Sequence, residues 1–102
     1  MFTTINKGPI QSPVNQDVFF DLNPVIDVTQ IEKRPTWISS SIMFTVDQAA
    51  DGLTCTIKPN TNFTGNADIV CDVWLKTGNQ ERYWWQLKVG GNMNPTATTV
   101  PK

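Results

Sequence analysis

LTCTI (residues 53–57), ADIVCDVWL (67–75) and RYWWQLKV (82–89) are the three segments that decide the fold. Apolar and polar residues alternate along each of them, and turn-forming residues such as Gly, Pro and Asn lie between them. A period of two bounded by turn residues is typical of half-buried β-strands. The sequence therefore predicts three consecutive strands that share one buried face, a scaffold suited to binding.

Further strands are predicted upstream of these three. Residues 2–6 and 18–22 have strand character, and residues 36–46 form either one long strand or two short ones. Residues 7–15 contain Gly8-Pro9 and Ser12-Pro13, so they are predicted to be a turn or an irregular edge segment. No window carries a helical stripe of apolar residues. About seven short strands in 102 residues predict an all-β Greek-key β-sandwich.

The apolar pattern of the last hairpin predicts which residues of its two strands lie on the same face. A shift of one residue moves every side chain to the other face. Cys71 and Trp85 both lie on the buried face only if the connection within Thr77–Gln80 has an odd number of residues. We expect three. The opposite, outward face then displays Trp74 and Trp84, either directly cross-strand or diagonal to each other.

Aromatic residues and Arg are enriched where proteins bind partners. The candidate partner-binding residues on the hairpin are Trp74, Trp84, Arg82 and Lys76. Phe2 and Ile5 join them, because the N-terminal edge, Phe2 to Ile10, could add a strand to a neighbouring subunit. The alternative is that the two Trp side chains only stabilise the hairpin, by under about 1 kcal/mol.

The composition argues against several classes of function. The chain has no His, which removes Ser-His-Asp and Cys-His catalysis and His-containing zinc sites, so no catalytic or cofactor-binding residue is predicted. The formal net charge of −1 provides no cationic field for nucleic acid, and no apolar run could span a bilayer. Asp47 with Asp51, or Asp68 with Asp72, could suggest calcium, but turn Asp residues usually bond their own backbone, and no metal site is predicted.

The chain is long enough for one domain, which we place at residues 1–90, with residues 91–102 as a flexible C-terminal tail because they are small, polar and interrupted by Pro. The N-terminus lacks the apolar segment of a secretory signal, so we expect a complete protein made in the cytoplasm. Cys55 and Cys71 fall on the inward face. Free thiols are favoured over a disulfide between the layers.

Several motifs resemble bacterial immunoglobulin-like domains. Trp37 is followed by serines, Val46-Asp47 precedes the turn at Gly52, and TGNADI (64–69) resembles a characteristic strand entry. The resemblance covers roughly residues 36–75, and departs from the family at the two cysteines, at Trp84-Trp85 and in the Pro-rich start. It implies an immunoglobulin-like sandwich that serves as an adhesion, decoration or spacer module and not as an enzyme.

A solitary domain of this kind without an export signal resembles a capsid decoration (auxiliary head) protein of tailed phages. The resemblance implies a virion component, made in the host cytoplasm, that contacts capsid or other virion proteins in multiple copies. The alternative is a carbohydrate- or cell-surface-binding module, in which Trp74 and Trp84 would form a platform for the sugar rings of host-surface glycans.

Overall fold

Seven β-strands in two facing sheets form the part of the chain, residues 2–90, that the computed structural model describes. The strands are β1 (Phe2–Ser12), β2 (Val18–Asp21), β3 (Thr36–Ser39), β4 (Phe44–Gln48), β5 (Thr54–Pro59), β6 (Gly65–Trp74) and β7 (Gln80–Val89). Residues 2–90 contain no α-helix, and one 3-10 turn spans Val28–Gln30. The predicted all-β class, with about seven strands in a sandwich, is confirmed. The predicted tail at 91–102 lies outside the described residues.

The strands divide into a four-stranded sheet, β1-β7-β6-β3, and a three-stranded sheet, β2-β5-β4. β1 runs parallel to β7, and every other neighbouring pair is antiparallel. The alternative of two short strands within residues 36–46 is confirmed, since β3 and β4 belong to different sheets. Residues 40–43 connect them.

The first strand is longer than predicted. Residues 7–12 were expected to form a turn or irregular segment, but β1 continues to Ser12. Its pairing with β7 skips Lys7, and at this bulge Gly8 adopts a φ of +91° while its N–H donates to Asn6 Oδ1 at 2.8 Å. Pro9 is accommodated because β1 is an edge strand, where a missing N–H need not break a ladder.

The core lies between the sheets and is centred on three aromatic rings. Trp85 of β7 packs edge-on against Phe20 of β2, with ring centroids 5.0 Å apart. It also stacks on Trp37 of β3 at 5.6 Å and an interplanar angle of 18°. Trp37 Nε1 donates to the carbonyl of Gly52 at 2.8 Å, whereas Trp85 Nε1 has no hydrogen-bond partner among residues 2–90. These rings tie the four-stranded sheet to the three-stranded one.

Both cysteines are buried, as the alternation predicted, and both thiols are free. Cys55 lies on β5 and Cys71 on β6, so they approach the core from opposite sheets. Burial raises the pKa of the Cys55 thiol to about 12, and burial also raises the pKa of Cys71. Thiols buried in this way stay protonated and are poor nucleophiles.

Candidate functional site

The side of the four-stranded sheet that faces away from the core is the candidate site, and we call it the outer face. Strand register sets its residues in rows across the sheet. One row is Thr36, Asp72, Arg82 and Thr4, from β3 to β1. The next row is Ile38, Val70, Trp84 and Asn6. No described element covers this face.

An ion pair occupies the middle of the outer face. Arg82 Nε donates to Asp72 Oδ1 at 2.7 Å, and its terminal nitrogen donates to Oδ2 at 3.0 Å, a two-point contact that fixes both side chains. The Asp72 side chain is only 10% exposed, whereas that of Arg82 is 41% exposed. The hydrogen bonds and negative charge of Asp72 raise the pKa of the guanidinium, which stays charged at any physiological pH.

Replacing Arg82 by Ala is expected to lower the free energy of unfolding by about 1–3 kcal/mol, because the carboxylate of Asp72 would lose both charged donors while largely shielded from water. The cost falls short of the 3–5 kcal/mol typical of fully buried pairs, since solvent reaches Arg82. Urea unfolding at neutral pH measures it. Lys88→Ala, an exposed cation on the same strand and face, is the matched control and should change stability by under about 0.5 kcal/mol. Equal effects of the two changes would contradict a structural role for the pair.

Cations lie over two aromatic rings of the outer face. The Arg82 guanidinium carbon is 5.5 Å from the centre of the Phe2 ring, and Phe2 is 51% exposed. Lys33 Nζ is 5.6 Å from the centre of a Trp74 ring. Both distances lie within the range of a cation–π attraction. Trp74 is thus partly covered by a residue of its own chain, while Phe2 and Arg82 form one exposed unit.

The hairpin connection has the predicted length but lies earlier in the chain than predicted. Leu75 N–H donates to Asn79 O at 2.9 Å, which leaves the three residues 76–78 as the turn. Gly78 closes it with a φ of +92°, a conformation that Gly adopts at little cost. This register places Val70 opposite Trp84 and Gln80 opposite Trp74.

The predicted cross-strand or diagonal contact of Trp74 and Trp84 is therefore wrong. Both side chains belong to the outer face, but the Asp72–Arg82 pair lies between them along the hairpin. The turn begins at Lys76, earlier than the predicted segment. Each residue of β6 therefore pairs with a residue of β7 that lies at least two positions earlier than predicted. The two rings do not form a continuous platform.

The other sequence-predicted site residues have different surroundings. Phe2 and Arg82 meet on the outer face, as described. Ile5 is half-buried and packs against the core, because its partner on β7 is the buried Tyr83. Lys76 lies in the turn, where its N–H donates to Gln30 O at 2.8 Å, and it takes no part in the outer face.

Two apolar residues beside Trp84 were not among the sequence-predicted site residues. Ile38 is 47% exposed, and it pairs with the half-buried Val70, which in turn pairs with Trp84. The three side chains form an apolar row across three strands. The alternation of Ile38 with the buried Trp37 was the available signal, since neighbours on a strand point to opposite faces.

Three of the four carboxylates that suggested calcium are occupied in other ways. Asp47 pairs with Lys58 at 3.3 Å, and Asp51 Oδ1 accepts the N–H of Leu53 at 3.0 Å. Asp72 pairs with Arg82. Within residues 2–90, no three His, Cys, Asp or Glu side chains are grouped closely enough to hold a metal ion. Over the same residues, no helix has the length and apolar character needed to cross a bilayer.

Comparison with known proteins finds similarity only at the level of fold. No family model and no curated protein matches the chain. Among solved structures, a 2,6-sialyltransferase of Photobacterium sp. JT-ISH-224 superposes with a TM-score of 0.61 at 9% identity, covering 86% of this chain and 18% of that one. InlP of Listeria monocytogenes superposes with a TM-score of 0.48 at 13% identity, covering 85% of this chain and 28% of that one. The chain thus spans under a third of either protein, and the first of them supports a shared fold alone.

Proposed function

We propose that this chain is a non-enzymatic binding module that engages a protein partner through its outer face, with Trp84 as the anchor. The observation that carries the proposal is the apolar row of Ile38, Val70 and Trp84 beside the Asp72–Arg82 pair, on a sheet face that no described element covers. Partly exposed aromatic residues and Arg dominate the energetics of protein interfaces.

The outer face is large enough for a specific but modest contact. Four strands spaced about 4.8 Å apart, with two of them ten residues long, give roughly 500–600 Å². A standard interface buries about 800 Å² on each partner. One copy alone would bind weakly, whereas many copies on a repeating lattice would gain avidity without further contacts.

A viral capsid is the partner we propose, with the chain as a decoration or auxiliary component that contacts coat subunits. The strand order β1-β7-β6-β3 against β2-β5-β4, with β1 parallel to β7, supports the immunoglobulin-like interpretation on which this proposal rests. A repeating coat lattice also supplies the multiple attachment points that a modest interface needs.

The glycan-binding alternative has weaker support. It relied on Trp74 and Trp84 as one platform, but the Asp72–Arg82 pair separates them and Lys33 lies over Trp74. A sugar ring could stack on Trp84 alone, but a second ring would meet the ion pair and not another aromatic surface.

The test is co-sedimentation of the chain with shells assembled from the coat protein encoded in the same genome. Trp84→Ala is expected to weaken binding at least about tenfold, a typical loss for a truncated interface anchor. Phe19→Ala is the matched control, because Phe19 is an aromatic residue 41% exposed on β2, in the other sheet.

Binding that survives Trp84→Ala, or that falls equally with Phe19→Ala, would overturn the assignment of the outer face. Failure of the unaltered chain to sediment with the shells would overturn the capsid as partner. A glycan array with the same two variants tests the alternative, which requires binding that depends on Trp84.

A further inference from the structure

The free edge of β1 is the longest strand edge that the described residues leave unpaired. β1 has 11 residues, whereas the other edge strands, β2, β3 and β4, have 4, 4 and 5. One side of β1 pairs with β7, and no strand within residues 2–90 pairs with the other side. The N–H and C=O groups along such an edge are a template for pairing with a further strand.

The features that block an edge are confined to the middle of β1. The bulge skips Lys7, Gly8 has a positive φ, and Pro9 lacks an N–H. Bulges, prolines and charged side chains are the devices by which natural sheets prevent edge pairing. Phe2–Asn6, with the sequence FTTIN, has none of them and keeps an unbroken register with β7. Five regular residues of the edge are therefore open to a partner strand.

The open segment is complementary to itself when two copies run antiparallel. A two-fold axis through Thr4, perpendicular to the sheet, sets Thr4 opposite Thr4 of the second copy. The same axis sets Phe2 opposite Asn6 on the outer face, and Thr3 opposite Ile5 on the inner side. Cross-strand Thr–Thr pairs stabilise a sheet, and no pair in this register opposes two charges. The register uses all five open residues and stops before the bulge.

We propose that Phe2–Asn6 pairs antiparallel with the same segment of a second copy, so that two four-stranded sheets join into one. A second copy matches this edge with its side chains as well as its main chain, whereas an unrelated strand is matched by the main chain alone. The contact is isologous and closed, because both copies use the same edge, so it forms a dimer and nothing larger. The inference does not rest on the proposed function, since it needs neither Trp84 nor a capsid.

The charges around the edge permit this approach and fix its register. Arg82 is in the same row as Thr4, and in the joined sheet the two guanidinium groups lie three strand spacings, about 14 Å, apart. That separation exceeds the screening length of about 8–10 Å, and Asp72 neutralises each guanidinium. Moving the axis to Lys7 would instead bring the bulge into the ladder and set two like charges opposite each other.

Dimer formation would double the outer face. Because the axis is perpendicular to the sheet, both outer faces lie on the same side of the joined sheet. One outer face offers roughly 500–600 Å², so two side by side offer roughly 1,000–1,200 Å². A standard interface buries about 800 Å² on each partner, which the pair can supply and one copy cannot.

The expected association is weak in solution. A ladder of five residues is only about 17 Å long, and its main-chain hydrogen bonds replace bonds to water. The contact is therefore smaller than a standard interface. Dimers should become visible only as the protein concentration approaches about 1 mM, the range of weak complexes.

Sedimentation equilibrium of the full chain from about 0.05 to 1 mM tests the proposal. The average mass should rise from the 11.4 kDa of one copy towards twice that mass and never beyond it. Thr4→Lys and Thr4→Glu each set two like charges opposite each other at the axis, and each should weaken association at least about tenfold. Thr36→Lys is the matched control, because Thr36 is an exposed Thr in the same row at the other edge of the sheet. It should leave association unchanged.

Mixing the two Thr4 variants is the decisive measurement. An equimolar mixture of Thr4→Lys and Thr4→Glu sets Lys opposite Glu, so it should dimerise at least as well as the unaltered chain. If either variant fails to melt cooperatively, Thr4→Cys replaces the pair, because Cα atoms about 4.5–5.5 Å apart across the axis allow a disulfide. Oxidised glutathione should then link copies of Thr4→Cys and not of Thr36→Cys.

Four outcomes would overturn the proposal. A mass that stays at that of one copy up to about 1 mM would exclude the dimer. A mass that rises beyond two copies would exclude a closed contact. Equal losses in Thr4→Lys and Thr36→Lys would place the contact elsewhere. A mixture of the Thr4 variants that stays monomeric would contradict the register about Thr4.

Discussion

Replacing Trp85 by Ala is expected to remove about 3–5 kcal/mol from the free energy of unfolding, the usual cost of deleting a large buried aromatic side chain. Trp85 is 1% exposed and contacts the rings of both Phe20 and Trp37. The whole free energy of unfolding of a domain of this size is about 5–15 kcal/mol. The variant should therefore melt at least about 15 °C lower than the unaltered chain.

The adjacent residue provides the matched control. Trp84 has the same side chain but lies on the outer face, so Trp84→Ala should cost about 1 kcal/mol or less. Trp85→Phe should cost less than Trp85→Ala, because it keeps an aromatic ring and removes an indole N–H that has no partner among the described residues. Guanidinium unfolding followed by circular dichroism measures all three variants. Similar losses at positions 84 and 85 would contradict the described sheet faces.

The difference between these neighbours could be predicted from the sequence. The alternation in residues 67–75 and 82–89 assigned Trp85 to the buried face, and the structure confirms it. Register is strongly specified there, because a slip of one residue would expose the whole apolar set. The same argument identified Cys55 and Cys71 as buried. Alternation is thus informative wherever one side of a sheet is buried.

The features that were missed depend on how the strands pair. Gly8-Pro9 is locally a turn signal, yet β1 continues because β7 supplies a parallel partner and the bulge at Lys7 absorbs the irregularity. The separation of Trp74 from Trp84 follows from where the turn begins, and a shift of one turn position moves each pairing by two residues. Local propensity does not determine either of these.

The candidate site was predicted only in part, because local propensity does not determine which side chains the folded chain leaves exposed. Trp84 and Arg82 were identified from residue type and face, whereas Ile5 was assigned to a contact surface and instead packs inward. Whether Ile38 is exposed depends on which elements cover it, and the sequence pattern does not reveal that.

The folded chain is also expected to lose stability steeply above about pH 9, because three buried acids resist ionisation. Burial raises the pKa of Cys55 to about 12 and raises that of Cys71, where the negative charge of Asp72 adds to the effect. Burial also raises the pKa of Tyr83, and its hydroxyl donates to Glu81 Oε1 at 2.6 Å, which favours the protonated form further.

The fall in stability with rising pH follows from how many protons the folded and unfolded chains bind. Below about pH 8 the folded and unfolded chains both hold these protons, and the stabilisation is complete. Above about pH 8.5 for the thiols and about pH 10 for the phenol, the unfolded chain releases them while the folded chain retains them. The free energy of unfolding then falls with pH, by about 1.4 kcal/mol per pH unit for each group, until the raised folded pKa is reached.

Between pH 8 and pH 10 the two thiols together should lower the free energy of unfolding by about 4 kcal/mol, a large share of the whole stability of a domain of this size. Urea unfolding at pH 8, 9 and 10 in the presence of a reductant measures this change. The double variant Cys55→Ala/Cys71→Ala should lose only about 0.5 kcal/mol over the same range, because Tyr83 alone remains and is only half ionised in the unfolded chain at pH 10. The comparison uses the slope against pH, so it is unaffected by any loss of packing at neutral pH. Equal slopes for the variant and the unaltered chain would show that the thiols ionise freely and are not buried between the sheets.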